Sequence, residues 1–273
     1  MTASKMFCGC SAAYDGAEPN TLVCPVCLGL PGSLPVPNAR AVELTVRTGL
    51  ALGCEVATTS HFDRKNYHYP DLPKGYQISQ SDAPLCVGGR FPFADDDGTV
   101  TEVRIERVHL EEDTAKLLHA GDASLVDFNR AGVPLMEVVT HPDLRTPDQA
   151  SDFLESLRQL LRWLGVSTGN MEAGALRADV NVSVRRIGTD DLGVKVEVKN
   201  LNSFAAVKAA LAYESLRLAE LAEAGATIPQ ETRGWSDADG RSYGQRSKEF
   251  AADYRYFPEP DIPPLVLDKD LID

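Results

Sequence analysis

No run of 18 or more apolar residues occurs in the 273-residue chain, and no basic stretch followed by an apolar one stands at Met1. A helix across a bilayer needs about 20 such residues, so a soluble, cytoplasmic protein with no membrane partner is expected. Basic charge is scarce. The chain sets 27 Lys and Arg against 40 Asp and Glu, a formal charge of -13. That balance repels a polyphosphate backbone unless the cations gather into one patch, and it argues against general nucleic-acid binding. Neither a Gly-x-x-x-x-Gly-Lys loop nor a GxGxxG turn is present, which excludes a P-loop or a Rossmann crevice as a nucleotide site. His61, His68, His109, His119 and His141 show no spacing such as HExxH, and each reads as a surface or core histidine. Repeats and low-complexity tracts are missing too, so the chain reads as consecutive elements of one compact body. At roughly 150 residues per domain its length suits one large or two small domains.

What is present is ordinary globular composition, 43% hydrophobic and 25% charged. The acidic excess fits a solvated surface or carboxylates around metal and nucleotide. Asn38 is placed to cap a helix running to about residue 52, with Leu44, Val46, Leu50 and Leu52 as apolar mass and Gly53 as its stop. Residues 54–140 read as strands and loops, with turn signals at Asp95-Asp96-Asp97-Gly98 and Arg130-Ala131-Gly132 each separating two strands. Thr146-Pro147-Asp148-Gln149 is a capping box with proline at the first helical position. Phe153, Leu154, Leu157, Leu160, Leu161 and Leu164 then recur at helical spacing before Gly165.

Residues 176–185 and 194–199 alternate, which predicts a hairpin with Ala178, Val180, Val182, Val184, Val194, Val196 and Val198 on buried faces. A further helix is predicted from Phe204 to Ala224, stopped by Gly225, and a further hairpin at Asp237-Ala238-Asp239-Gly240. The fold class is α+β: a mostly antiparallel β-sheet cradle with flanking helices and an N-terminal cysteine knuckle. Residues 1–35 are read as the knuckle and 36–273 as a catalytic cradle domain.

Four of the six cysteines fall in the first 27 residues. Cys8-Gly9-Cys10 and Cys24-Pro25-Val26-Cys27 supply two chelating pairs of thiolates, which suits tetrahedral zinc. Four cysteines fill the shell and leave no position for water, so such a zinc braces the fold; redox chemistry and inert thiols are the alternatives. Cys54 and Cys86 read as small buried hydrophobes.

Two acidic patterns can carry chemistry. In His109-Leu110-Glu111-Glu112-Asp113, at a strand end, Glu111 and Glu112 should point to opposite faces. Both reach one ion only if the strand bends, and adjacent acids before Lys116 are more commonly a solvated turn. The polar side of the valine hairpin carries Arg177, Asp179, Asn181, Ser183 and Arg185 with Lys195, Glu197 and Lys199. That face fits plain solvent exposure, or magnesium held by carboxylate while Lys or Arg meets phosphate. The loop from Asp63 to Gln77 is dense in polar and aromatic groups and suits the lining of a pocket or channel.

Eight motifs run through nearly the whole chain: GAEPNT (16–21), CPVCLGLPGSLPV (24–36), FDRKNYHYPDLPKGYQISQ (62–80), HLEED (109–113), NRAGVPLMEVV (129–139), GNMEAGALRADVNVSVR (169–185), KVEVKNLNSF (195–204) and DYRYFPEPDIPPL (253–265). On them the chain resembles the B subunit of the bacterial aspartyl/glutamyl-tRNA amidotransferases.

The resemblance implies a ligase that uses ATP and Mg2+ to phosphorylate the side-chain carboxylate of Glu-tRNA(Gln) or Asp-tRNA(Asn), after which channelled ammonia displaces the phosphate. It implies three partners: the amidase-fold A subunit, the small C subunit, and misacylated tRNA. By the same likeness Glu111 and Glu112 are the magnesium and ammonia-handling acids, Glu112 also as a base, with Asp179 and Glu197 as further catalytic acids. Asn181, Lys199, Asn200 and Asn202 then contact substrate or phosphate, Lys74 and Tyr76 line the channel, and Cys8, Cys10, Cys24 and Cys27 hold structural Zn2+. The family pattern also includes a GLEvH-like strand before the knuckle and helical and tail domains after the PEPD segment. The chain is therefore expected to be truncated at both ends and to bind tRNA poorly alone. The alternative is a catalytically incomplete, zinc-braced scaffold that docks the amidase; a zinc-ribbon nucleic-acid binder is weaker still, for want of flanking basic clusters.

Overall fold

The structure, a computed structural model, describes residues 1–95, 98–247 and 254–272. The first elements in chain order are helix α1 (Ala39–Ala51) and strands β1 (Glu55–Val56), β2 (Thr59–Ser60), β3 (Asp63–Asn66), β4 (Tyr76–Ser79), β5 (Cys86–Val87) and β6 (Arg90–Ala94). Next come β7 (Val100–Glu112), β8 (Lys116–Ala120), β9 (Ala123–Asp127), β10 (Pro134–Thr140) and helix α2 (Pro147–Trp163). They are followed by β11 (Ala178–Val182), β12 (Val196–Leu201), helix α3 (Phe204–Glu223), β13 (Glu231–Ser236) and β14 (Arg241–Ser247), then β15 (Phe257–Pro258), β16 (Leu265–Val266) and α4 (Lys269–Ile272). None of the helices among the described residues is long and apolar enough to cross a membrane.

Packing divides the chain into two compact units, one of Met1–Phe91, Val103–Pro142 and Tyr254–Asp273, the other of Pro92–Glu102 and Asp143–Asp253. The first is built on a sheet of order β1-β5-β7-β10, with β6 also pairing with β7, beside the smaller ladders β15-β3-β4, β16-β2 and β8-β9. Its buried side chains include Leu44, Leu52, Phe62, Ile78, Leu85, Ile105 and Leu110. Asn38 caps α1 as its sequence suggests, its side chain accepting from the Arg40 and Ala41 N–H groups. Its amide nitrogen donates back to the carbonyls of Ser4 and Lys5 at 3.2 and 3.1 Å, which ties the helix to the knuckle.

The second unit carries the sheet β11-β12-β13-β14. Val182, Val196, Val198, Leu201, Val207, Leu218 and Trp235 are buried there in one apolar cluster, each full burial of a side chain this large contributing about 1.5–3 kcal/mol. Thr146 caps α2 by accepting from the Gln149 N–H, with Pro147 in the first turn, and Phe153, Leu157 and Leu161 form the buried stripe. Ser203 caps α3, which ends one residue before the expected Ala224.

The α+β class and the mostly antiparallel pairing are as expected. Among the described residues one pair is parallel, β12 with β13, because α3 carries the chain between them and a strand reached through such a crossover returns in the same direction. The hairpin at 237–240 joins β13 and β14 in antiparallel register. The turn at Arg130-Ala131-Gly132 separates two strands as expected, β9, which pairs with β8, and β10, which pairs with β7. Two expectations need correction. The valine hairpin is shorter than the alternation predicts, since pairing stops at Val182↔Val196 and Val194, beyond it, is exposed. Leu50 faces solvent rather than the core. Asp96 and Asp97 of the expected turn between β6 and β7 lie outside the described residues, although flanking Asp95 and Thr99 are joined by a 2.8 Å backbone hydrogen bond.

Candidate functional site

The knuckle is set by backbone first. An isolated bridge joins Ser4 to Ser11, the Lys5 N–H donates to the Cys10 carbonyl at 2.9 Å, and the turn after Cys24 closes through the Leu28 N–H to the Cys24 carbonyl at 3.1 Å. These turns bring the sulfurs of Cys8, Cys10, Cys24 and Cys27 within 4.8 Å of one another. Four soft thiols so placed fit a closed tetrahedral zinc shell. The thiols are polarised already. The Cys8 thiol bonding to the Cys27 sulfur, with the Cys24 N–H and Lys5, outweighs burial and holds Cys27 down at about 4, while burial lifts Cys10 to about 11. Cys54 and Cys86 are buried thiols, both raised by burial, in keeping with their reading as small hydrophobes.

Glu111 and Glu112 do point to opposite faces of β7. The Glu112 carboxylate accepts from the Ile78 N–H at 3.0 Å and pairs with Lys74 Nζ at 2.5 Å, both side chains being almost wholly buried. Its face lines a cavity of about 200 Å³ with Cys8, Cys27, Lys74, Tyr76 and Gly132. Lys74 and Tyr76 thus share one pocket with Glu112, and the Lys74 ammonium stands 5.8 Å from the Tyr76 ring. Gly132 sits at φ +85, a backbone conformation that favours glycine; an added Cβ would meet Cys27, Lys5 and Glu112 only at ordinary contact distances of 3.4, 3.5 and 3.8 Å.

The Glu111 face is a different place. Glu111 accepts from Ser79 Oγ at 3.3 Å, and His109 shares its side of the strand two residues earlier. Glu137 on β10 stands directly across from His109 in the ladder, so His109 Nε2 lies 4.0 Å from Glu111 and 3.7 Å from Glu137. These three offer ligand atoms within 4.8 Å of one another, and His109 Nδ1 is buried with no hydrogen-bond partner. Burial lowers His109 to about 3, so its imidazole is neutral and able to coordinate. Burial, then Glu137, raises Glu111 from 4.5 to about 7. Sequence reasoning missed His109 and Glu137. The available signals were the two-residue spacing of His109 and Glu111 on a strand and the lone acid in the apolar run Leu135-Met136-Glu137-Val138.

That shift fixes a pH dependence. The folded chain holds the Glu111 proton more tightly than the unfolded chain. The group therefore favours the fold below the ordinary carboxylate range, and its contribution fades as pH climbs through about 7. A divalent cation held there would compete with the proton and gain affinity over the same interval. Titrating Mg2+ or Mn2+ between pH about 5.5 and about 8 should show up to about tenfold gain per pH unit, levelling above about 7. Glu111→Gln should abolish the trend; a flat profile in the parent chain would count against cation binding here.

Asp179, Glu197, Asn181, Lys199, Asn200 and Asn202 belong to the second compact unit, whereas Glu111 and Glu112 belong to the first. Within the hairpin, Lys199 Nζ reaches Asp179 at 2.7 Å and Glu197 at 3.4 Å. Burial works against the Lys199 ammonium, but Asp179 and then Glu197 outweigh it and hold its pKa above the usual lysine value. Glu197 also accepts from Thr232 Oγ1 at 2.9 Å and stands across from Asn181. Asn200, at φ +66, donates to the Trp235 carbonyl at 3.0 Å. Asn181, Asn200 and Asn202 are exposed.

Comparison with known proteins points one way. The family profile described as the GatB/GatE catalytic domain matches residues 1–273. A protein of Thermomicrobium roseum, named as the B subunit of aspartyl/glutamyl-tRNA(Asn/Gln) amidotransferase, is 62% identical over 274 residues, covering 99% of this chain and 56% of the relative. Proteins of the same name from Roseiflexus sp. and Dehalococcoides mccartyi are 58% and 57% identical, each covering 100% of this chain and 56% of its own length. The chain spans about half the length of these relatives.

Proposed function

We propose that the chain, which belongs to the GatB/GatE catalytic domain family, is the part of a tRNA-dependent amidotransferase that activates a side-chain carboxylate with ATP and delivers ammonia to it. The observation that carries this reading is the double-sided end of β7: a cation-type cluster on one face and a pocket lined by a buried Lys–Glu pair on the other, from adjacent residues.

On the first face Glu111 and Glu137, with neutral His109, would hold Mg2+, which when bound neutralises charge on the nucleotide phosphates. Buried Glu111 gives up its proton most readily when a cation is there to replace it. On the other face Glu112 and Lys74 line a small cavity, and Tyr76 lines it beside them. Glu112 there is the base that strips a proton from ammonium, leaving free ammonia as the nucleophile. A carboxylate does not react with ammonia, whereas an acyl phosphate does, so the two faces serve successive steps. On the second unit, Lys199 with Asp179 and Glu197, and exposed Asn181, Asn200 and Asn202, form a set able to contact phosphate and substrate. The four thiols hold zinc as a brace. The amidase-fold A subunit, the small C subunit, and Glu-tRNA(Gln) or Asp-tRNA(Asn) are the proposed partners.

The test is ADP release by the full-length protein in complex with its amidase and small partners. ADP should appear with misacylated tRNA and stay at background with correctly charged tRNA. ADP release that ignores the aminoacyl group defeats the proposal.

A further inference from the structure

A third group of ligand-type side chains lies in the first unit. His61 stands between β2 and β3, Asp63 opens β3, and Asp82 follows β4; one atom of each lies within 4.8 Å of the other two. Asp63 is 2% exposed, and the Ser81 N–H fixes its Oδ2 at 2.8 Å. Its Oδ1 is then 3.3 Å from His61 Nε2. Asp82 Oδ1 approaches the same nitrogen at 2.9 Å. The His61 carbonyl is itself held by Gln80 Nε2 at 3.3 Å.

His61 Nε2 is shut off from solvent, yet it has no partner in hydrogen-bonding geometry. Whether that nitrogen carries a proton or a lone pair, its in-plane direction meets neither oxygen squarely, although carboxylate oxygens stand at 2.9 and 3.3 Å; a shielded polar atom left so is costly. A cation resolves the conflict. Ligands about 2.0–2.2 Å from a metal, at right or tetrahedral angles, stand about 3 Å from each other, and the separations of 2.9 and 3.3 Å match that spacing.

We infer that His61, Asp63 and Asp82 form a divalent-cation site separate from the cysteine knuckle and from the His109 cluster. One imidazole and two carboxylates suit a divalent transition cation such as Mn2+ or Zn2+ and leave positions for water. Because Asp63 pairs with Ser79 across β3 and β4, a cation bridging Asp63 to Asp82 staples the entry of that hairpin to its exit. The site is a clamp, and no step of the amidation reading passes through it.

The probe is Mn2+, titrated into the zinc-loaded full chain carrying Glu137→Gln to weaken the His109 cluster, and read by electron paramagnetic resonance with nitrogen spin-echo modulation. Stoichiometric Mn2+ with an imidazole modulation is expected. His61→Ala should remove the modulation, and His61→Ala and Asp82→Asn should each weaken binding by about tenfold or more. His109→Ala should leave the signal in place. Asp82 is 77% exposed at its side chain, so Asp82→Asn tests the site without endangering the fold. Lack of stoichiometric Mn2+, or a modulation that survives His61→Ala or vanishes with His109→Ala, overturns the assignment.

Discussion

Lys74→Met should lower the stability of the chain by about 3–5 kcal/mol, the usual cost of stripping one partner from a buried ion pair. Glu112 keeps the Ile78 N–H at 3.0 Å, but one backbone donor does not compensate a carboxylate whose side chain is 3% exposed. Denaturant midpoints of three proteins decide the matter: the parent, Lys74→Met, and Lys74→Met combined with Glu112→Gln. The double variant should recover most of the loss, because no charge is left stranded. Amidation should behave otherwise. If Glu112 is the base at the ammonia outlet, glutamine-dependent amidation falls by about 100-fold or more in both variants, a general base contributing about 10²–10⁴-fold. A single variant as stable as its parent within about 0.5 kcal/mol would show that the two charges do not depend on each other for burial. A stable double variant with undiminished amidation would remove Glu112 from the reaction.

The contrast between Glu111 and Glu112 shows how far sequence carries a site. Period-two alternation says that neighbours on a strand face opposite ways, and that much was legible from HLEED alone. What each face meets was not. Lys74 comes from 38 positions earlier in the chain than Glu112 and Glu137 from 26 positions after Glu111; the hydrogen bonds of Gln77 and Ile78 on β4 to Glu112 and the ladder β7–β10 bring them in. Helix ends were legible because caps are local chemistry, as at Asn38, Thr146 and Ser203. The cysteine cluster was legible for the same reason, its donors lying within 20 residues of chain from Cys8 to Cys27. Long-range order was hidden: the parallel pairing of β12 with β13 follows from where α3 lands, and the second compact unit is an insertion whose two pieces are separated by Val103–Pro142. Reading consecutive elements gives no hint of that.

Removing zinc should undo more than the knuckle. Lys5 is 1% exposed, and its ammonium contacts Cys27 Sγ at 3.5 Å and the Phe128 carbonyl at 3.4 Å. No carboxylate pairs with it among the ion pairs of the described residues, so its charge is set against thiolate sulfur, and a four-thiolate zinc carries the negative charge that suits it. The next residue, Met6, donates to the Gly132 carbonyl at 2.7 Å, and Gly132 forms the wall of the Glu112 cavity. Cysteine cluster, buried lysine and pocket wall are therefore consecutive links. Cys27→Ala, or a strong chelator, should release one zinc per chain and lower the melting temperature by about 10 °C or more, since structural zinc supplies about 10–16 kcal/mol in isolated zinc peptides and about 2–4 °C accompanies each kcal/mol at this size. Amide exchange should quicken at Met6 and at the N-cap of α1, where Asn38 leans on Ser4 and Lys5. Cys54→Ala should release no zinc. Metal analysis with hydrogen exchange on the two variants separates the cases: a chain that loses its zinc while Met6 and α1 keep their protection would reduce the knuckle to an ornament on a fold that stands without it.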